Sequence, residues 1–236
     1  MIELSLPGAR VVFSTRKGGV SSGPYESLNL GFLTDDEPSN VDANRERLVA
    51  AVGLEREQVA MGWQVHGAEL LDWKKPPEHG GFAHLGAELP EVDGHLTAVP
   101  GLGLLVLVAD CLPVALSGDG RVAMLHCGWR PLAAGIVEKA VASFETPPAA
   151  VIGPGIGSCC YEVGDEVFSA FSDLDGVASG RMLDLRAVTR RKLEAVGVTE
   201  IADVDMCTSC CPELFFSHRR DGGVTGRQAG LVWREA

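Results

Sequence analysis

The sequence predicts an α/β domain, of the α/β or α+β kind, with a mixed β-sheet core flanked by helices. Three observations point there. Apolar runs of strand length alternate along the chain with amphipathic helical stretches. A length of 236 residues with 46% hydrophobic content suffices for one well-buried core. No internal repeat, low-complexity tract or shift in composition divides residues 1–236, so a single domain is expected.

In chain order, a strand is expected at 10–14. The stretch 39–52 (SNVDANRERLVAAV) reads as a helix capped by Ser39 or Asn40, with Val41, Leu48, Val49 and Val52 on one face and Gly53 as its stop. A strand follows at 58–65. Residues 74–93, which carry KKPPEHGGF, read as a long loop or active-site flap. Strands come next at 103–109 and 122–126. Residues 131–144 form a helix pattern, with proline in the first turn and Leu132, Ile136, Val137, Ala140 and Phe144 at helical spacing. A strand at 149–152, a helix at 184–196 opened by Asp184 and stopped by Gly197, and a strand at 200–204 complete the order.

Acidic residues outnumber basic ones by 32 to 20, a net charge of -12. Such a surface repels phosphate backbones and anionic lipids, so no nucleic acid and no membrane partner is expected. The most apolar run, 102–116, is broken by Asp110 and Pro113 and is too short to span a bilayer. Residues 1–16 show no secretory pattern, which makes the cytoplasm the default location. Seven cysteines, five of them in two tight clusters (Cys159-Cys160 and Cys207, Cys210, Cys211), suit metal binding, catalysis or buried thiols better than a disulfide framework.

Three potential metal ligands share a setting. His66 ends VAMGWQVH, Cys111 follows LLVLVAD, and His126 ends VAMLH, each where a buried strand gives way to a loop. If those strand ends are neighbours in one sheet, two imidazoles and a thiolate converge. That set suits Zn²⁺ and leaves its fourth position open. The plainer alternative is a core cysteine and two structural histidines, and no short metal motif decides between them. HCGWR (126–130) places a ligand, a glycine, an aromatic and a guanidinium just before a helix, a natural anion site. Trp129 and Arg130 fit ordinary helix-entry packing equally well. Asp110 should point away from Cys111 and either brace the backbone or cap a turn.

FSTRKGGVSSGPYESLNLG (13–31), NRERL (44–48), QVHG (64–67), VDGHLT (92–97), ADCLPV (109–114), HCGWR (126–130), IGPGIGSCCYEVG (152–164), CTSC (207–210) and FFSHRRDGGVTGR (215–227) occur in that order. Together they resemble the YfiH family, also called the peptidoglycan editing factor or laccase-domain (polyphenol oxidase) family, over about residues 10–230. The resemblance implies the cysteine-hydrolase fold of the cytotoxic-necrotizing-factor type. It also implies a zinc site at His66, Cys111 and His126, which act as catalytic residues, with copper as an alternative occupant. Three activities have been described for the family: phosphorolysis of adenosine, inosine and methylthioadenosine with adenosine deamination, copper-dependent phenol oxidation, and editing of muropeptide precursors. Small-molecule nucleoside and phosphate are the implied partners, on a monomer or homodimer. Cys127 stands where the family usually has alanine.

A nucleoside phosphorylase must hold phosphate near the ribose. Arg16, beside a Gly-Gly turn, and Arg130 are the candidates for that role, with Asn29 and Ser14 as weaker polar candidates for substrate contact. Arg45 is also a candidate, although a structural ion pair or snorkelling stem fits it better; Arg219 and Arg227 are left unassigned. A multi-copper oxidase needs a further copper cluster, and six histidines, with His79, His84, His95 and His218 dispersed, are too few for the usual arrangement. Two other readings stay open. Cys111 could be a nucleophile with His126 as its base, hydrolysing an amide. The clustered cysteines could form a structural zinc knot, although adjacent Cys159 and Cys160 would chelate awkwardly.

Overall fold

In a computed structural model that describes residues 1–78, 82, 84 and 86–235, the elements follow in this order. They are β1 (Ile2–Leu6), β2 (Ala9–Phe13), α1 (Pro38–Val52), β3 (Val59–Ala60), β4 (Leu70–Trp73), β5 (Gly94–Thr97), β6 (Gly103–Val108), β7 (Leu112–Gly118), β8 (Arg121–Cys127), α2 (Trp129–Ala133), α3 (Ile136–Val141), β9 (Ala149–Ile152), α4 (Asp165–Ser169), β10 (Ala178–Ser179), β11 (Met182–Leu183), α5 (Leu185–Ala195), β12 (Ile201–Asp203) and β13 (Gln228–Arg234).

The single sheet expected from the sequence is two. A five-stranded sheet runs β1-β2-β13-β6-β3 and a six-stranded one β12-β9-β7-β8-β5-β4, with β10 and β11 as a small ribbon. Both are mixed, because β3 runs parallel to β6, β9 to β12 and β4 to β5, while the remaining pairs are antiparallel. The sheets stack face to face. Strand alternation sends Val11, Phe13, Val106 and Val108 of one sheet inward against Ala115, Val122, Met124 and Val151 of the other. The outer face of the first sheet (Val12, Leu105, Leu231) packs on Leu48, Val49 and Val52 of α1. The outer face of the second (Val114, Leu116, Leu125) packs on Ile136, Val137 and Ala140 of α3 and on Val188 and Leu193 of α5. The layers are therefore α/β/β/α.

Several elements depart from expectation for physical reasons. Helix α1 starts at Pro38 with no side-chain cap, and left-handed Gly53 ends it at φ 73°. The helix at 131–144 is two short ones, because Gly135 takes φ 83° between α2 and α3. The strand at 58–65 shrinks to β3, and a side chain replaces the rest: Gln64 donates Nε2–H to the Leu107 carbonyl at 2.8 Å while its Oε1 accepts from the Leu107 N–H at 2.8 Å. Strand β7, hidden in the sequence by Pro113, runs through the middle of the second sheet. Part of the loop at 74–93, His79 included, lies outside the described residues; Phe82 within it is fully buried against α1. Among the described residues no helix is long and apolar enough to cross a membrane.

Candidate metal centre and the cavity above it

The chain passes from the first sheet to the second between β6 and β7, and Cys111 sits at that crossing. Asp110 makes the turn with φ 93°, and its buried carboxylate braces it by accepting from the Thr208 hydroxyl at 2.6 Å and the Arg219 N–H at 2.7 Å. His126 comes from β8, one position from its end, on the face turned toward the other sheet; alternation puts Cys127 in the core beneath α2 and α3. His66 is not at a strand end. It lies in the loop beyond β3 with φ 59°, a left-handed backbone that histidine and aspartate adopt more readily than most residues. The ligand atoms of His66, Cys111 and His126 all lie within 4.8 Å of one another, so both sheets contribute to the cluster.

Asp93, which precedes β5 and is fully buried, organises two of the three. Its Oδ1 accepts from His126 Nδ1 at 2.7 Å and from the His66 N–H at 3.1 Å; its Oδ2 accepts from the Val65 and Gly67 N–H groups at 3.0 and 2.8 Å. One carboxylate thus folds the QVHG loop and orients the His126 ring, leaving Nε2 for the cluster. A carboxylate on the outer nitrogen is the usual support of a metal-ligating histidine. Gly128 is required by space: a Cβ there would lie 2.8 Å from Cys111 Sγ.

The electrostatics favour a thiolate. Burial opposes ionisation of Cys111, but the His126 charge and hydrogen bonds from His126 and His66 outweigh it and bring the thiol down to about 6. Burial likewise opposes charge on His126, and the Cys111 thiolate with the Asp93 hydrogen bond raises it to about 9. Asp93 is held below its ordinary value, since the His126, Gly67 and Val65 hydrogen bonds exceed the cost of burial. A soft thiolate beside two imidazoles, one pre-oriented through Nδ1, is a donor set that fits Zn²⁺.

Above the cluster opens a cavity of about 830 Å³, within the range of small-molecule sites. His66, Cys111 and His126 lie on its wall with Trp63, Leu107, Tyr161, Arg45, Arg219 and Arg227. Burial and the Cys111 charge push the Tyr161 phenol up to about 12, so it remains a neutral donor.

Of the sequence candidates for substrate binding, Arg45 lines the cavity, whereas Arg16, Asn29 and Arg130 are not among its lining residues. Arg16 donates to the Glu26 and Pro212 carbonyls and stacks on Phe216, while Arg130 stacks on its neighbour Trp129. Asn29 is fully buried, and its Oδ1 accepts from the Gly31 and Arg227 N–H groups, which fixes the strand entry where Arg227 reaches the cavity. Arg45 is 1% exposed, donates to the Leu30 carbonyl at 3.0 Å and lies 3.9 Å over the Phe32 ring; burial first and the Arg56 charge next lower it to about 9. Asp93 and Gln64 were not singled out from the sequence, although both stand inside the quoted motifs. A second group, Cys159, Cys160, Cys207 and Cys210, also brings its sulfurs within 4.8 Å.

A stacked two-sheet α/β protein with an oriented His-Cys-His cluster under a deep cavity is the class that fold and site define. Residues 10–235 match the family described as multi-copper polyphenol oxidoreductase laccase. The chain is 39% identical to the purine nucleoside phosphorylase YfiH of Escherichia coli (strain K12), over 96% of this chain and 94% of that protein. It is 35% identical to the purine nucleoside phosphorylase YlmD of Geobacillus stearothermophilus, over 96% and 90%. The crystal structure of YlmD from that organism superposes with a TM-score of 0.90 at 34% identity, covering 98% of this chain and 93% of that one. The chain belongs to the YfiH family of laccase-domain, purine nucleoside phosphorylase proteins.

Proposed function

We propose that this protein is a zinc-dependent purine nucleoside enzyme that cleaves adenosine, inosine and methylthioadenosine with phosphate and also deaminates adenosine. The observation that carries the reading is one cavity that unites the His66–Cys111–His126 donor set with arginines and an aromatic wall. The names of the curated relatives support it. When bound by these three residues, zinc supplies a Lewis acid with an open position.

The protein's own groups supply the rest. Trp63, 45% exposed on the cavity wall, offers a face for a purine. Arg219 and Arg227 offer forked donors for phosphate, and they take over here the role the sequence assigned to Arg16 and Arg130. Tyr161 donates a hydrogen bond as a neutral phenol. Asp93 keeps the proton of His126 on Nδ1, so that the ring meets the cluster through Nε2.

The test is incubation of zinc-loaded protein with adenosine or inosine, with and without phosphate. Free base and ribose 1-phosphate are expected only when phosphate is present. Failure to form either with any purine nucleoside overturns the reading.

One observation favours a second reading. The Cys111–His126 pair has the charge arrangement of an activated thiol nucleophile, as an amidase acting on cell-wall muropeptide precursors requires. Mass spectrometry of metal-free protein after exposure to a muropeptide precursor tests it: an acyl adduct on Cys111 supports the amidase, and an unmodified Cys111 with unchanged substrate removes it.

A further inference from the structure

We infer that Cys159, Cys160, Cys207 and Cys210 form a second, structural zinc site that fastens the loop after β9 to the loop after β12. The two loops leave one end of the second sheet side by side. Strands β9 and β12 are parallel in register from Ala150–Ile201 to Ile152–Asp203, and the pairing continues beyond them. Gly155 N–H donates to the Met206 carbonyl at 3.3 Å, and Thr208 N–H donates to the Gly155 carbonyl at 3.0 Å. Residues some fifty positions apart in sequence are thereby held together before any ion is considered.

The sulfurs are close to the geometry zinc requires. Cys159 and Cys160 Sγ each lie 3.4 Å from Cys210 Sγ, and all four fall within 4.8 Å. Tetrahedral Zn–S bonds of about 2.3 Å put sulfurs roughly 3.8 Å apart, so a few tenths of an ångström of adjustment suffice. The objection that adjacent cysteines chelate awkwardly is answered by a turn. Cys160 and Tyr161 N–H both donate to the Gly157 carbonyl, and the curl aims both sulfurs at one point. Gly157 leaves the room, since a Cβ there would stand 3.2 Å from Cys159 Sγ.

Cys207 Sγ accepts N–H bonds from Gly157, at 3.2 Å, and from Cys210; donors of this kind stabilise a metal-bound thiolate. Cys159 and Cys210 are exposed, which gives an ion a path in. Four sulfur donors select zinc over magnesium or calcium. Loading exchanges protons for the ion: the thiols that are still protonated release H⁺, four Zn–S bonds form, and no oxidation state changes. Cys211 lies outside the set.

The site reaches the cavity through both limbs. One continues directly into Tyr161 on the cavity wall. Thr208, next to Cys207, donates to the Asp110 carboxylate at 2.6 Å, while Ile156 N–H donates to the Asp110 carbonyl at 2.8 Å, and Asp110 adjoins Cys111. The staple thus fixes the crossing on which Cys111 is carried.

The experiment is elemental analysis of the full chain, purified reduced and without added metal, together with two double variants. About two zinc ions per chain are expected for the native protein. About one is expected for C207S/C210S, and about one for H66A/H126A. Cobalt(II) loaded into H66A/H126A is expected to show intense thiolate-to-cobalt charge transfer with tetrahedral d–d bands, a readout that stands even if C207S/C210S does not fold. A single zinc per native chain that C207S/C210S retains, or an H66A/H126A chain with neither zinc nor the cobalt spectrum, overturns the assignment.

Discussion

Replacing Asp93 with isosteric asparagine is expected to damage the His66–Cys111–His126 centre without removing any of its three side chains. The carboxylate takes four hydrogen bonds, two on each oxygen, and every donor is an N–H. An asparagine has one oxygen to offer, so whichever way the amide turns, one pair of donors faces an NH₂. With the NH₂ in place of Oδ1, it donates to His126 Nδ1, the ring proton moves to Nε2, and the nitrogen that should meet a metal is blocked. With the NH₂ in place of Oδ2, the part-buried Val65 and Gly67 N–H groups lose their acceptor and the His66 loop loosens.

The second arrangement leaves two part-buried donors without an acceptor, for which about 1–3 kcal/mol each, the cost of a fully buried group, is the upper bound. The first costs what the loss of an outer-nitrogen carboxylate typically costs, about 10–100-fold in metal affinity. Competition with a chromophoric zinc chelator measures the affinity, and thermal or denaturant unfolding of the metal-free protein measures the stability. If Asp93→Asn kept both native zinc affinity and native stability, the reasoning that makes Asp93 the organiser of the site would be refuted.

Three further outcomes follow from the same geometry. Gly128→Ala, at an ordinary φ of -82°, introduces no backbone strain, yet its Cβ would meet Cys111 Sγ at 2.8 Å; metal affinity is expected to fall with little change in the fold, read by chelator competition beside circular dichroism. In metal-free protein, alkylation of Cys111 is expected to show a midpoint near pH 6 instead of near the ordinary thiol value of 9.0, and His126→Ala should move it upward. The sign is that of a lowered acid: the stabilisation from the thiolate is present at high pH and is lost as pH falls through about 6, whereas the contribution of raised His126 is lost as pH climbs through about 9. Arg227→Ala or Arg219→Ala should lower kcat/KM for phosphate by roughly 10–100-fold, as expected for loss of a charge-assisted hydrogen bond, and a phosphate titration of phosphorolysis checks it.

What the sequence disclosed was what depends on short range. Helix α1 was legible because its apolar stripe and its stop at Gly53 are local, and so was α5, whose Asp184 side chain accepts from the Ala187 N–H at 2.9 Å. The cluster of His66, Cys111 and His126 was legible because each member follows an apolar run. The helix at 131–144 was read as continuous because a glycine inside a periodic stretch does not announce a left-handed φ. Strand β13 was missed, although it pairs with both β2 and β6; its partners lie more than a hundred residues away, and pairing carries no local signature. Asp93 went unassigned for the same reason, since its partner His126 stands 33 positions on. The arginines show the limit most clearly. Arg16 sits beside a Gly-Gly turn and looks poised for an anion, yet in the fold it props carbonyls, while Arg219 and Arg227 reach the cavity from a loop whose position is set by Asp110 and Asn29.

The several activities attached to this family become intelligible when referred to a single group of atoms. A thiolate within hydrogen-bonding reach of two imidazoles is at once a ligand set and a nucleophile–base pair, and the difference lies in whether an ion occupies it. With zinc bound, the Cys111 lone pair is committed and His126 can no longer act as its base; without metal, the same charge pairing activates the sulfur. The oxidase reading asks for more. Passing four electrons to O₂ needs several coppers, and among the described residues the only groups of three or more His, Cys, Asp or Glu with converging ligand atoms are the His66 trio and the four cysteines. Neither adds the imidazoles of a further copper cluster. The trio would take copper as a tight-binding intruder, since copper(II) outcompetes zinc at most nitrogen and sulfur sites. Nucleoside and phenol turnover should therefore be compared on one preparation after its metal content has been counted.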